Sequence, residues 1–186
     1  MRWLEARASV GRAACIAVAL ACAGLAGGCF QPLYGEGTLP GSPNVKDALS
    51  SVDVQQIDAA PGSSETKLAV QLRNDLIFNF TGGGPPAPPA YRLKVTMIGA
   101  RAIIVVNQTA LPTAENYTMH ATYTLTEIAT GRVVVTARAV TTVSYDPSGT
   151  QRFARLSALH DGERRAAKVI AESITTRLAS YFLSGS

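Results

Sequence analysis

The sequence predicts an α+β domain of order β-α-β-β-β-α, a four-stranded mixed sheet with two helices on one face. Three observations carry that expectation. Apolar residues recur at helical spacing between residues 65 and 80, three stretches between 91 and 145 alternate apolar and polar residues, and a second helical stretch runs from about 150 to 182.

The first 28 residues have the three parts of an export signal. Arg2, Arg7 and Arg12 form a basic start, residues 13–25 an apolar run, and Leu25-Ala26-Gly27-Gly28 a small-residue end. The run is too short for the roughly 20 residues of a membrane-spanning helix. Residues 1–28 are therefore expected to be removed, 29–44 to form a lipid-anchored tether, and 45–186 to fold as one domain. Cys29 stands at the new N-terminus as an acyl acceptor. Processing at Cys22, or cleavage near Gly28 leaving a free thiol, are the alternatives. The Gly-, Pro- and Ser-rich composition of residues 36–43 favours Cys29, as a flexible tether behind a lipid. Two or more acyl chains, at about 0.8 kcal/mol per buried methylene, would give stable anchoring.

Within the domain, residues 51–57 (SVDVQQI) partly alternate and predict a short strand. Pro61 to Ser64 form a turn, after which Leu68, Leu72, Leu76 and Phe80 fall four apart, giving a helix over 65–80 with one apolar stripe. Gly82-Gly83-Gly84 ends it, and the prolines between Pro85 and Pro89 impose an extended spacer. A long strand is expected over 91–106, with Tyr91, Leu93, Val95 and Met97 on one face. A loop follows over 107–115. The next strand, 116–129, puts Tyr117, Met119, Ala121, Tyr123 and Leu125 on one face and Thr118, His120, Thr122, Thr124 and Thr126 on the other. Ala129-Thr130-Gly131 predicts a hairpin turn into a strand over 132–145, with Val133, Val135, Ala137, Ala139 and Val143 facing the core. The last helix follows a cap over 146–150. Its apolar stripe includes Phe153, Leu156, Ala167, Ile170, Ile174, Leu178 and Tyr181, with an interruption around Gly162 that implies a kink or a helix start. With both helices on one side, the other sheet face is left as solvated surface or as a docking face bearing Arg92, Lys94 and His120.

Composition excludes several functions. The 17 Lys and Arg fall to 14 once Arg2, Arg7 and Arg12 are removed, and the 13 Asp and Glu fall to 12 without Glu5. So nearly neutral a domain gives no support to nucleic-acid binding. Cys15 and Cys22 leave with the signal, so no intramolecular disulfide is expected. There is no phosphate-binding glycine loop, HExxH or GxSxG, and two histidines are too few for a zinc site. No catalytic residue, metal or cofactor is expected. Arg164, Arg165 and Lys168 read as a solvated helical face. One tip of the domain is more suggestive: Arg152 and Arg155 lie in the opening turns of the last helix, where the helix dipole disfavours cations, and together they suit a phosphate or carboxylate. Asp146 and Glu115 are placed to neutralise the same tip, which leaves plain surface as the alternative.

At Cys29 to Gly35 (CFQPLYG), through this element order, to the ending ARLSALHDGERRAAKVIAESITTRLASYF, the chain resembles the alphaproteobacterial LPS-assembly lipoprotein family, LptE. In that family the lipid cysteine usually precedes a glycine, whereas here Gly28 precedes Cys29. The resemblance implies a non-enzymatic lipoprotein anchored in the outer membrane through Cys29 and facing the periplasm. It implies a plug inside the β-barrel LptD, helping it assemble and move lipopolysaccharide to the outer leaflet. It gives the polar sheet face with Arg92, Lys94 and His120 a barrel wall to meet, and Arg152 and Arg155 a phosphorylated glycolipid to bind. Two rivals from other classes are an auxiliary lipoprotein of a lipid-transporting ABC system and a periplasmic hydrolase.

Overall fold

A computed structural model describes residues 44–59, 64–106, 112–147 and 152–184. The proposed signal and tether, Cys29 included, lie outside the described residues except for Asn44. The elements are α1 (Val45–Ser50), β1 (Val52–Val54), α2 (Ser64–Thr81), β2 (Tyr91–Val106), β3 (Pro112–Glu127), β4 (Val133–Tyr145) and α3 (Arg152–Ser184). The order β-α-β-β-β-α holds, with a short helix added in front. Sequence periodicity misses α1 because six residues are under two turns. It forms because Asn44 accepts the Lys46 N–H at 3.1 Å and because Val45 and Leu49 bury against the domain.

The sheet order is β1-β2-β3-β4, with β1 parallel to β2 and the other pairs antiparallel. β1 is shorter than the alternation over 51–57 implies; beyond it Ile57 is buried and Asp58 makes one further bridge, to Thr96. Leu68, Leu72, Leu76 and Phe80 bury the expected stripe of α2. Gly82 and Gly83 end that helix with φ of +63° and +80°, a conformation in which a side chain is strained. The proline segment runs as an extended strap beside β1, pinned by Ala87 N–H to the Ser50 carbonyl at 3.1 Å and Ala90 N–H to Ser51 at 2.9 Å.

β3 starts at Pro112, earlier than the 107–115 loop allowed, so the β2–β3 hairpin is longer. The face assignments of β2 and β3 follow the alternation. In β4 they fail at its start, because Leu125 pairs Val135 while Thr126 pairs Val133. The extra residue is a bulge, so Val134 packs against the core and Val133 is left 54% exposed, the reverse of strict alternation.

α2 and α3 both cover the face that carries Leu93, Val95, Met97, Met119, Ala121 and Leu125, and they pack on each other. α3 is continuous through His160 to Glu163, so Gly162 is not a helix start. It is buried against the Tyr145 ring, where an added Cβ would lie 3.2 Å from a ring carbon. Ala166, Ala167, Ile170, Ala171, Ile174 and Leu178 continue that seam with no exposed surface. Phe153 and Leu156 do not join it: they are 80% and 42% exposed, because the opening turns of α3 overhang the packed sheet.

Gly99 in β2 has a comparable role. A Cβ there would overlap the hydroxyl and ring of Tyr117. Gly99→Val is expected to lower unfolding stability by about 1–3 kcal/mol in urea titration, with partial recovery when Tyr117→Leu is added. Ile174→Ala should cost about 2–5 kcal/mol in the same measurement.

Candidate functional site

Beyond the last turns of helical cover, the core-side face of the sheet emerges into a cleft of about 420 Å³. Its walls are Arg101 from β2, Glu115 from β3, Tyr145 at the end of β4 with Pro147, and the opening turns of α3. Arg152, Arg155, Leu156 and Leu159 face it together because positions 0, 3, 4 and 7 lie on one side of a helix. The tip inferred from the sequence is therefore a formed concavity.

Strand register explains the sheet side. Ile103 pairs Glu115, which pairs Tyr145; one row inward, Arg101 pairs Tyr117, which pairs Val143. These residues share the parity of Leu93, Val95 and Met97, so Arg101 and Glu115 continue the core face where helices no longer cover it. Arg101 was missed by sequence reasoning. Its signal was available, as a charged residue in the apolar register of a strand that ends near the Arg152 tip.

The cleft carries three guanidinium groups and one carboxylate. The Tyr145 hydroxyl donates to Glu115 Oε2, and burial together with that hydrogen bond pushes the Tyr145 phenol up to about 12. Among the described residues, none of Arg101, Arg152 and Arg155 has an acidic side chain within ion-pair distance. Glu115 thus offsets the tip in part, as expected, while the net field stays positive. Asp146 beside it is exposed and engaged in an interaction of its own. Behind the cleft, desolvation raises the pKa of Glu163, with His160 and Arg101 acting against the shift; Tyr117 is pushed up to about 12, chiefly by burial. Leu156 and Leu159 supply apolar lining between the cations, and Ile103 and Ile104 on β2 and Phe153 on α3 are all more than half exposed.

The other candidates lie elsewhere. Arg92, Lys94 and His120 are all exposed on the uncovered face of the sheet. They share that face without clustering: His120 faces Ile98, four residues along β2 from Lys94 and about 13 Å away. Thr118 and Thr142 hydrogen bond across it at 2.9 Å, and Ser144 donates to Asn116 at 2.7 Å. Arg164 and Arg165 are not simply solvated, since both pair with Asp161, at 2.5 and 2.9 Å, and hold its pKa below the usual range. A smaller cleft of about 240 Å³ between β1, α2 and the proline strap is mainly apolar. Among the described residues no group of three or more His, Cys, Asp or Glu side chains is placed to hold a metal, and no helix is long and apolar enough to cross a membrane.

A family model described as LptE, lipopolysaccharide-assembly, matches residues 49–178. Comparison with curated proteins yields no match. Among solved structures, a Caulobacter crescentus protein described as a lipoprotein superposes with a TM-score of 0.60 at 24% identity, covering 76% of this chain and 97% of that one. A minor lipoprotein from Acinetobacter baumannii gives 0.51 at 16% identity, covering 72% and 94%. Rare lipoprotein B from Shewanella oneidensis gives 0.50 at 12%, covering 69% and 96%. At these identities the solved structures establish the fold, and the α+β architecture read from the sequence is theirs.

The raised groups set a pH dependence with a definite sign. Tyr145 and Tyr117 keep their protons to about pH 12 when folded but lose them near 10 when unfolded. The stability they contribute is complete below pH 10 and is lost between 10 and 12. Urea midpoints across that window should fall, and Tyr145→Phe should flatten the fall. Glu163, also raised, favours the folded state only while protonated, so Glu163→Gln should raise the melting temperature at pH 7, with the gain vanishing toward pH 4.

Proposed function

The chain belongs to the LptE family of lipopolysaccharide-assembly proteins, and from that premise we propose that it is an outer-membrane lipoprotein, anchored through Cys29, that plugs the LptD barrel and contacts lipopolysaccharide through its arginine cleft. Its role lies in lipopolysaccharide assembly; the anchor, the barrel and the glycolipid contact are the proposal.

The observation that carries the glycolipid contact is the cleft. Arg101, Arg152 and Arg155 converge on one concavity with a single carboxylate, already engaged by Tyr145. Guanidinium groups bind phosphate through paired N–H donors, and cations collected without counter-charges stabilise an anion more than they stabilise the fold. Leu156 and Leu159 in the same cleft add apolar surface that an acylated phosphate-bearing glycolipid can cover. The barrel contact is supported by the uncovered sheet face, where Arg92, Lys94 and His120 stand among threonines. A surface of that polarity suits a barrel lumen, whose inward side chains are polar.

The first experiment is mild-detergent purification of the tagged full-length protein from native membranes, with mass spectrometry of the N-terminal peptide and of every retained protein. A stoichiometric barrel and a triacylated Cys29 are expected. Retention of an inner-membrane transporter instead would support an auxiliary subunit of a lipid-transporting ABC system. For the cleft, Arg152→Glu with Arg155→Glu should weaken lipopolysaccharide binding at least tenfold and leave barrel association intact; unchanged binding would reduce the cleft to solvated surface.

A further inference from the structure

The two edges of the sheet differ in a way that the cleft and the polar face do not use. β1 is a three-residue edge, closed off by its surroundings: Arg73 Nε donates to the Val54 carbonyl at 3.0 Å, and the proline strap runs alongside. β4 is a thirteen-residue edge bonded on one side only among the described residues, with no proline and a single charged residue, Arg138. Proteins ordinarily blunt so long an edge with prolines, several charges or a covering segment.

The ladder identifies which backbone groups are open. Glu127 N–H bonds to the Arg132 carbonyl and Ile128 N–H to Ala90, so odd residues of β3 point to β4 and even residues to β2. Through the register Tyr123 to Ala137, Ala121 to Ala139 and Met119 to Thr141, odd residues of β4 bond to β3 and even residues point outward. An independent contact agrees: Arg165 Nη2 wraps the edge to donate to the carbonyl of Ser144, an even residue, at 3.2 Å. Past the bulge at Val134, the open row is therefore Thr136, Arg138, Val140 and Thr142, with Arg138 its one charge.

That charge selects the occupant. A second copy pairing through the same edge has no carboxylate to set opposite Arg138 in any register, since Arg138 is the one charged residue of β4. A different chain with a carboxylate at that place gains an opposite-charge cross-strand pair that a second copy lacks. We propose that β4 is a strand-addition site for an extended segment of a partner protein, with an Asp or Glu opposite Arg138, extending the sheet to five strands. The location of that segment in the barrel protein rests on the reading above; the edge chemistry does not.

The test is amide hydrogen exchange, read residue by residue, on the full-length chain in the native detergent-extracted complex and on the same chain freed of its partner. Amides of Arg138, Val140 and Thr142 are expected to exchange at least tenfold more slowly in the complex, while those of Ala137, Ala139 and Thr141 are slow in both. Arg138→Glu and Val140→Pro should each reduce the retained partner at least tenfold. Neither breaks a β4-to-β3 hydrogen bond, and circular dichroism verifies that both remain folded. A retained barrel with the even amides unslowed, or either folded variant holding its partner fully, overturns the strand-addition site and leaves the plug reading standing. Slowed even amides in complex with some other protein support the site and overturn the barrel. Slowing that appears in the isolated chain with rising concentration assigns the edge to a second copy and overturns the proposal, and a chain that retains no protein overturns both readings.

Discussion

Close approach of α3 to the sheet is the constraint on which the rest of the domain depends. Gly162 lies against the ring of Tyr145, and Ala166, Ala167, Ala171 and Ala179 keep the helix low over β3 and β4 along the buried seam. Small side chains let backbone meet backbone, and Ile170, Ile174 and Leu178 fill the remaining volume at the density of a protein interior. Because α3 lies this deep, α2 can pack beside it over the same face, and one layer of helices suffices for a four-stranded sheet. A larger residue in the seam would lift the helix and separate both helices from the core.

The same constraint creates the cleft. α3 is 33 residues long, about 50 Å at 1.5 Å per residue, and is seated from about Gly162 to Phe182. Its opening turns extend past that seat, while the β2–β3 hairpin extends in parallel beneath them. What lies between is core-side sheet surface without a helix on it. There polar residues can occupy an apolar register, which is why Arg101 and Glu115 stand where Leu or Val stand further in. Just inside the boundary, Glu163 and Tyr117 bear the cost of desolvation, which favours their neutral forms. The opposite end is closed by apolar contact, with the rings of Tyr91 and Phe182 at 5.1 Å. One end of the domain is thus adapted to charge and the other to packing.

Among the described residues only two helices exceed two turns, and the uncovered face and the β4 edge follow from that. A second helical layer would have hidden Arg92, Lys94, Arg138 and His120 and required them to be apolar. Its absence among the described residues leaves a surface of threonine and cations with exposed Ile98 and Val140 among them, tied internally by Thr118 to Thr142 and Asn116 to Ser144.

Much of the architecture was legible in the residues. Four-residue spacing in α2, alternation in β2 and β3, and the glycine turns fixed element types and face assignments, because those signals depend only on the periods of the helix and the strand. Cations at 152 and 155, three apart in opening helical turns, likewise identified one wall of the cleft. Other features depend on contacts between distant segments and leave no local trace. Capping and tertiary burial make six residues into α1; pairing with β3 puts the bulge at Val134; the ring of Tyr145 explains Gly162. Arg101, Glu115 and Tyr145 come together only because three strands align in register beneath an overhanging helix. Local sequence sets which way a side chain points along its own element. Only the tertiary structure decides what it then faces, because register, helix overhang and edge exposure are properties of how elements meet.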